Sequence, residues 1–224
     1  MEVVYEDNHI IIVNKRPGEI VQGDKTGDEP LVETVRQYIK EKYAKPGNVF
    51  CGLVHRLDRP VWGLVVFAKT SKALSRLNEM FRDGKVKKTY RAIVRNMPKE
   101  PEARLVHYIK SIEKNNKSYA YNTPKDGAKE AALSYRLIGS SERYHLLEIN
   151  LETGRKHQIR VQLASVGCPI RGDLKYGDKR SNPDGSISLQ AHKIEFEHPV
   201  SHQQINITAP LPEDNLWQAF NIDN

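Results

Sequence analysis

The stretch His-Arg-Leu-Asp-Arg-Pro-Val-Trp-Gly-Leu, residues 55–64, carries the most specific pattern in the chain. It places Asp58 between Arg56 and Arg59, shortly before the apolar run 65–68, which has the character of a strand. Nearby positive charge favours the ionised form of a carboxyl group, so Asp58 should be a carboxylate near the start of a strand. Such a carboxylate can act as a nucleophile or as a base, although a lone Asp more often caps a helix or joins a surface ion pair.

The composition of the 224-residue chain is that of an ordinary globular protein with an excess of positive charge. Its net charge is +7 and its pI is about 9.3, which favours a polyanionic partner, most commonly a nucleic acid. No apolar run approaches the roughly 20 residues that span a bilayer, and the N-terminus does not have the pattern of a signal peptide. Cys51 and Cys168 form no CxxC motif, so we expect a reduced, cytoplasmic setting.

Strand-like segments outnumber helical ones along the chain. Helices are predicted after residue 30, after Thr70, within residues 154–167 and near the C-terminus at residues 216–220. Strands are predicted over residues 2–5, 10–13, 64–68, 86–94, 119–122, 131–137, 144–151, 188–196 and 204–208. Because strands and helices do not alternate regularly, we predict an α+β fold with a large mixed or antiparallel sheet.

Two further segments carry side chains that suit the chemistry of RNA. In residues 88–92 strand alternation places Lys88 and Tyr90 on one face, and Tyr90 offers a ring for stacking and a phenol for proton transfer. In residues 154–163 basic side chains cluster near a helix N-terminus, an arrangement that suits phosphate or carboxylate binding. Taken alone, each segment is explained as simply by a half-buried strand tyrosine or by a solvated basic helix face.

The sequence contains no pattern for a metal ion or a nucleotide cofactor. His192 and His198 lie on a strand pattern without cysteine or acidic residues at ligand spacing, so no metal site is expected. The chain has neither a glycine-rich phosphate loop nor a Gly-x-Ser-x-Gly elbow. We therefore expect no metal and no cofactor.

Four segments taken together resemble the motifs of the RluA-type pseudouridine synthases, which isomerise uridine in RNA. The segments are residues 4–18, residues 55–64, the strand of Tyr90 and residues 154–163. The first of them departs from the family pattern, because Arg16 stands between the usual Lys and Pro. A familiar Gly-x-Pro-Ile-x-Gly-Asp stretch follows at residues 167–173. Four motifs in the right order are more specific than any one, and the resemblance covers nearly the whole chain.

The resemblance implies a role for each of several residues. Asp58 would be the nucleophile, Tyr90 would stack on the target base and transfer a proton, and Arg160 would pair with Asp58 and hold it ionised. Arg56 would enter the RNA stack where the uridine flips out, and Leu189 would form a wall of the base pocket. The other expected substrate contacts are His55, Arg155 and Trp62. Trp62 stands, with Val61, where the family usually has Thr-Ser, a departure that bears on substrate choice more than on chemistry.

The resemblance also implies a fold and a mode of action. The expected fold is a mixed, mainly antiparallel sheet that is divided by a catalytic cleft and flanked by helices. We expect a single catalytic domain over residues 1–224, without the S4 RNA-binding domain that many relatives carry. The expected substrate is a structured rRNA or tRNA. The enzyme is expected to be a cytoplasmic monomer with no metal, no cofactor and no membrane attachment.

Two other functions stay open at the level of the sequence. A non-catalytic RNA-binding protein could keep the same fold, although the presence of Asp58, Tyr90 and Arg160 disfavours it. A hydrolase could use Asp58 as its nucleophile, as glycosidases do, but that chemistry needs a second carboxylate at a defined distance. Glu148 and Glu152 are the candidates for it on the strand pattern, and nothing in the sequence links either to Asp58.

Overall fold

The computed structural model describes residues 1–220 and shows an α+β fold, a many-stranded mixed sheet with few helices packed on it. This confirms the fold class that the sequence predicts. Contacts within the chain define two compact units. Unit 1 comprises residues 1–86 and 191–210, and unit 2 comprises residues 87–190 with the chain from Leu211 onward. The assignment of the whole chain to a single domain stays a prediction.

Unit 1 is built on antiparallel strands. Its elements are β1 (Glu2–Glu6), β2 (Ile10–Lys15), α1 (Leu31–Lys42), β3 (Gly52–Leu53), β4 (Trp62–Ala68), α2 (Ser71–Arg82), most of β10 (Leu189–Glu197) and β11 (Gln204–Thr208). Strand β2 pairs with β1 on one side and with β4 on the other. Lys15 of β2 lies opposite Gly63 of β4. The short β3 adds to β4, and β11 adds to β10.

Both faces of strand β2 are buried, which explains its continuous apolar sequence. Ile10 and Ile12 pack in a cluster with Ala73 and Leu77 of α2. Ile11 and Val13 point the other way and pack in a cluster with the buried side of α1, formed by Leu31, Val35 and Ile39. Strand β2, at whose C-terminal end Lys15 stands, is therefore fixed between two helices.

Unit 2 is an antiparallel sheet with strand order β5-β9-β8-β6-β7. The strands are β5 (Lys87–Val94), β6 (Glu102–Ile112), β7 (Lys117–Tyr121), β8 (Lys129–Ser140) and β9 (His145–Leu151). Helix α3 (Gln158–Ser165) packs on one face, where Val161 joins a cluster with Ile109 and Ala131. The short helix α4 (Asn215–Gln218) packs on β5 and β9 through Trp217, which is buried against Ile93 and Leu146.

The sequence-based assignment of elements is correct for most of the chain and misses one long strand. The sequence offers Thr70 or Ser71 as the cap of α2, and the structure shows Thr70, whose hydroxyl accepts the amide of Ala73 at 3.2 Å. Strand β6, with eleven residues, was not predicted. On one face of β6, His107 interrupts a row of apolar residues. The other face carries charged and aromatic side chains, so the alternation of apolar and polar residues that marks a strand is weak.

None of the helices within residues 1–220 combines the length and the apolar character that crossing a membrane requires.

Candidate active site

Asp58 opens a tight turn between β3 and β4. The carbonyl of Asp58 accepts the amide of Val61 at 3.1 Å, so residues 58–61 close on themselves directly before β4 begins. The next carbonyl, that of Arg59, accepts the amide of Gly18 at 3.0 Å. The Arg59 guanidinium points away toward Asp28, at 2.6 Å. The turn is thus tied on both sides to the segment that follows β2.

The side chain of Lys15 holds this turn through hydrogen bonds to backbone carbonyls. It has no exposure to solvent, and its ammonium donates to the carbonyls of Arg16 at 3.0 Å, Arg59 at 3.0 Å and Val61 at 2.9 Å. Burial lowers the pKa of Lys15 to about 8, an effect that the nearby carboxylates of Glu19 and Asp58 oppose. Two of the three carbonyls belong to the turn that Asp58 opens, so Lys15 holds the backbone on which Asp58 stands.

His55 is engaged inside unit 1. Its Nε2 accepts the backbone amide of Val66 at 3.1 Å, and its ring stacks on Phe81 with a centroid distance of 4.9 Å. The pairing of β3 with β4 ends just before this point. The imidazole therefore accepts an amide of β4 that the carbonyl of a paired strand would otherwise accept. This geometry gives His55 a part in holding the Asp58 segment, and its contact with substrate stays a prediction.

The other predicted contacts of this segment reach solvent. Arg56 is exposed, and its Nη1 lies 3.3 Å from the amide oxygen of Gln22. Trp62 is half-buried at the start of β4. The next residue must be glycine, because Gly63 has a φ of +113° and a Cβ there would lie 2.2 Å from the carbonyl oxygen of Ala191. The unit thus presents Arg56 and Trp62 on the same short segment as Asp58.

Tyr90 and Arg160 lie on the same side of unit 2. Tyr90 faces Ile149 across β5 and β9, and Ile149 faces Tyr135 on β8, which places all three on the face that α3 covers. Tyr90 is 9% exposed, and Arg160 on α3 is 6% exposed. Both side chains are therefore buried, on the sheet face opposite the one that carries Arg91 and Glu148.

Arg160 forms a buried two-pronged ion pair with Asp173. Its Nε lies 2.7 Å from one carboxylate oxygen of Asp173 and its Nη2 lies 2.9 Å from the other. The guanidinium also lies 5.1 Å from the ring centroid of Tyr176, close enough for a cation–π contact. A fork of this kind fixes the plane of the guanidinium as well as its position.

Tyr176 is itself held by two partners. Its phenol accepts the amide of Ser118 at 2.8 Å and lies 2.8 Å from Nδ1 of His157. Burial raises the pKa of Tyr176, which keeps the phenol protonated. His157 precedes α3 with a left-handed backbone, φ 56°, which brings its ring toward Tyr176. The position of Arg160 thus depends on several elements of unit 2.

The remaining predicted contacts differ in exposure. Arg155 is exposed, and its side chain donates to the carbonyl of Glu130 at 2.9 Å, while its amide donates to Gln158 at 2.9 Å. Leu189 is 3% exposed at the start of β10. Arg155 is therefore available to solvent, whereas Leu189 is buried and its place in the base pocket stays a prediction.

Glu148 and Glu152, the candidate acids for a hydrolase, are engaged elsewhere. Glu148 faces Arg91 and Arg136 across the sheet and accepts from Arg136 at 3.0 Å. Glu152 accepts from Arg104 through both of its oxygens, at 2.8 and 2.6 Å, and these bonds lower its pKa. Glu148 lies on the sheet face opposite Tyr90, so its position disfavours a two-carboxylate site shared with Tyr90.

Three supporting residues were not assigned a role from the sequence: Lys15, Asp173 and Tyr176. Lys15 and Asp173 lie in stretches that resemble family motifs, but only the fold shows that Lys15 reaches three carbonyls or that Asp173 meets Arg160. Among residues 1–220, no group of three or more His, Cys, Asp or Glu side chains is arranged to hold a metal ion.

The comparisons with known proteins identify the family. A family model described as RNA pseudouridylate synthase matches residues 9–165. The tRNA pseudouridine synthase C of Vibrio parahaemolyticus is 31% identical over 98% of this chain and 93% of its own length. The ribosomal large subunit pseudouridine synthase D of Zymomonas mobilis is 32% identical over 100% of this chain and 74% of its own length. The chain belongs to the RNA pseudouridylate synthase family, whose members are isomerases that act on RNA, and this confirms the resemblance in its motifs.

Solved structures agree with this family at the level of the fold. Human RNA Pseudouridylate Synthase Domain Containing 4 superposes with a TM-score of 0.80 at 22% identity, covering 96% of this chain and 90% of that one. Human RNA Pseudouridylate Synthase Domain Containing 1 gives 0.71 at 18% identity, covering 99% of this chain and 95% of that one. The likeness extends over almost the whole of each chain.

The low pKa of Lys15 predicts a pH dependence of stability. The ordinary pKa is 10.5 and the folded value is about 8, so between these pH values the unfolded chain binds a proton that the folded chain has lost. The unfolding free energy of the wild type should rise with pH over this window, by about 3 kcal/mol relative to Lys15→Met. Urea unfolding of both proteins at pH 7.5 to 10.5 checks this, and parallel curves would exclude a buried, titrating Lys15.

Removing the charge of Asp173 should destabilise unit 2. Asp173→Asn leaves the buried guanidinium of Arg160 without its carboxylate, which should cost about 3–5 kcal/mol in unfolding free energy. The matched control is Asp126→Asn, because Asp126 is exposed, and a surface substitution should change the unfolding free energy by less than about 0.5 kcal/mol. Equal denaturation midpoints for the two variants would show that the Arg160–Asp173 pair contributes nothing to stability.

Proposed function

We propose that this enzyme converts uridine to pseudouridine in a tRNA or a ribosomal RNA, with Asp58 as its nucleophile. The observation that carries the proposal is the turn of Asp58, which Lys15 and the β2–β4 pairing hold in place and which lies within the residues that match the RNA pseudouridylate synthase family model. The RNA class is suggested by the names of the relatives, which include tRNA and ribosomal large subunit enzymes.

The reaction is an isomerisation that needs no oxidant, reductant or added group. The bond between N1 of the base and C1′ of the ribose breaks, and a bond between C5 and C1′ forms. The proton of C5 is lost and N1 ends with a proton, so the atoms balance. The Asp58 carboxylate forms a temporary covalent bond to the substrate and is released when C5 rejoins the sugar. We propose that the enzyme does this as a monomer without a metal ion.

Arg160 is proposed to serve as the charge partner of Asp58. A guanidinium carries five N–H donors, and the fork to Asp173 uses two of them. Asp173 thus fixes the orientation of this guanidinium. Held in this way, Arg160 would keep Asp58 ionised and would direct one carboxylate oxygen toward the substrate.

Tyr90 is proposed to stack on the target base and to take part in proton transfer. It is mostly buried on the face of unit 2 that carries Arg160, and Leu189 would close the pocket beside it. The reacting atoms of a uridine inside an RNA helix are covered by neighbouring bases, so the nucleotide must flip out. Arg56 would fill the place that the uridine leaves. Trp62 and His55 are proposed to line the path of the RNA, and Arg155 would bind phosphate.

The electrostatic character of the chain supports an RNA substrate. With a net charge of +7, phosphate contacts should release counterions and make binding strongly dependent on salt. The hydrolase alternative is disfavoured, because Glu148 and Glu152 are bound to Arg136 and Arg104. A non-catalytic RNA-binding role would leave unexplained why Arg160 is buried and aligned by an ion pair.

Asp58→Asn should abolish isomerisation while preserving the fold, because an amide cannot act as the nucleophile. The assay follows RNA transcribed with 5-tritiated uridine. Isomerisation releases tritium into water, hydrolysis releases uracil that retains its tritium, and binding alone releases neither. The wild type should release tritiated water, and Asp58→Asn should lose at least about three orders of magnitude in rate.

The control is Asp83→Asn, an exposed carboxyl at the end of α2, which should keep the wild-type rate. Tritium release by purified Asp58→Asn at a rate close to that of the control would refute the role of Asp58. Release of tritiated uracil by the wild type would favour the hydrolase.

A further inference from the structure

The hairpin of β6 and β7 carries a strip of aromatic and basic residues on one face. Across the two strands Tyr108 faces Tyr121, Lys110 faces Tyr119 and Ile112 faces Lys117. All three tyrosines are half-buried, so each ring rests on the sheet and keeps part of its surface in solvent. We call this set, together with Lys125, the hairpin strip; its members are Tyr108, Lys110, Lys117, Tyr119, Tyr121 and Lys125.

The hairpin strip lies on the face of the sheet opposite Tyr90 and α3. Strand β6 alternates, so His107 and Ile109 are buried on the α3 side while Tyr108 and Lys110 point the other way. Tyr90 shares the α3 side through its cross-strand neighbours. In addition, β7 is four strands from β5 in the order of unit 2. The hairpin strip is therefore separate from the residues assigned to catalysis in this unit, except that the Lys117 ammonium also lies 5.5 Å from the ring centroid of Tyr176.

The lysines of the hairpin strip are positioned without being neutralised. Lys117 lies 5.8 Å from the ring centroid of Tyr119, and Lys125 lies 4.3 Å from that of Tyr121. Lys110 donates to the carbonyl of Asp126 at 3.0 Å. Within residues 1–220, none of these three ammonium groups has a carboxylate oxygen within 4.0 Å. Cation–π contacts position Lys117 and Lys125, and a backbone carbonyl positions Lys110, so the charge of these three lysines is not neutralised by a carboxylate in the described part of the chain.

The arginines farther along the same face behave differently. Arg104 is paired with Glu152 at 2.6 Å, and Arg136 is paired with Glu148 at 3.0 Å. Positive charge is thus balanced next to the hairpin strip and left unbalanced within it. Residues 108–130 contain five lysines against Glu113, Asp126 and Glu130, a net charge of +2, and three of the ten tyrosines of the chain; Glu130 faces Tyr108 across the strands.

A purely structural explanation accounts for only part of this arrangement. Strand β7 is at the edge of the sheet order, where lysines prevent pairing with other chains, and cross-strand Tyr–Lys pairs stabilise a hairpin. Neither role requires three tyrosines to remain partly exposed between unpaired charges. Single-stranded RNA offers unpaired bases joined by phosphates. Partly exposed tyrosine rings can stack on such bases, and lysines between the rings can neutralise the phosphates.

We propose that the hairpin strip binds single-stranded RNA that flanks the target uridine. The proposal rests on the proposed function, since it takes RNA as the substrate. The tyrosines would stack on unpaired bases, and Lys110, Lys117 and Lys125 would contact the phosphates between them. Binding here would add affinity for long substrates without touching the reacting nucleotide.

The first test measures the contribution of the rings. Fluorescence anisotropy follows a labelled 30-nucleotide oligouridylate as it binds the full chain. Tyr119→Ala combined with Tyr121→Ala should weaken binding by about fivefold or more, because two stacking surfaces are lost. Tyr119→Phe combined with Tyr121→Phe keeps both rings and should bind within about twofold of wild type. Equal affinity of the alanine variant and the wild type would overturn the proposal.

The second test measures the contribution of charge and does not depend on the folding of the alanine variant. For single strands the logarithm of affinity falls with the logarithm of salt concentration by about 0.7 for each phosphate contact. Lys110→Gln combined with Lys125→Gln should therefore reduce this slope by about 1.4. Lys72→Gln combined with Lys99→Gln, which changes two exposed lysines elsewhere, should leave the slope unchanged.

An unchanged slope in the hairpin variant would overturn the proposal and would direct attention to a protein partner for this face. Both tests measure binding without turnover, so their failure is distinct from a failure of the Asp58→Asn assay. The glutamine variant should also keep the wild-type turnover number while its Michaelis constant for long RNA rises.

Discussion

The buried ammonium of Lys15 is the constraint on which the Asp58 segment depends. A charge without solvent is tolerated only where polar atoms replace its water, and the carbonyls of Arg16, Arg59 and Val61 do so. Two of these carbonyls belong to the turn that Asp58 opens. The free energy that keeps Lys15 in place therefore also fixes the backbone that presents the carboxylate. Strand β2 is in turn clamped between α1 and α2, so the position of Asp58 is set by the core of unit 1.

Unit 2 prepares its own charged group in a similar way. Arg160 is buried, and Asp173 and Tyr176 fix its orientation, while Ser118 and His157 fix Tyr176. Lys15 in unit 1 and Arg160 in unit 2 are thus both buried cations that are held by hydrogen bonds within their own unit. Such positioning suits a reaction in which a weak nucleophile must be held at one angle to its substrate, because geometry then replaces intrinsic reactivity. The lysines of the hairpin strip differ from these buried cations, because they reach solvent without a carboxylate partner among the described residues and could bind a polyanion.

The sequence predicted the fold class, most elements and the family, because each rests on local patterns. The capping of α2 by Thr70 and the apolar run of β2 are examples, since a cap and a strand buried on both faces are visible along the chain. Strand β6 was missed because His107 and Lys110 interrupt its apolar alternation. The support of the site could not be predicted for a different reason. Lys15 meets carbonyls 44 and 46 residues away, and such long-range contacts leave no periodic pattern.

The central claim is that the Asp58 carboxylate and the Arg160 guanidinium act as one pair on the uridine. A double-mutant cycle on the rate of tritium release tests it most directly, with Asp58→Glu and Arg160→Lys, which keep both charges and shift both geometries. For a working pair, the rate loss in the double variant should differ from the product of the two single losses by about threefold or more. Losses that multiply within error would contradict the account.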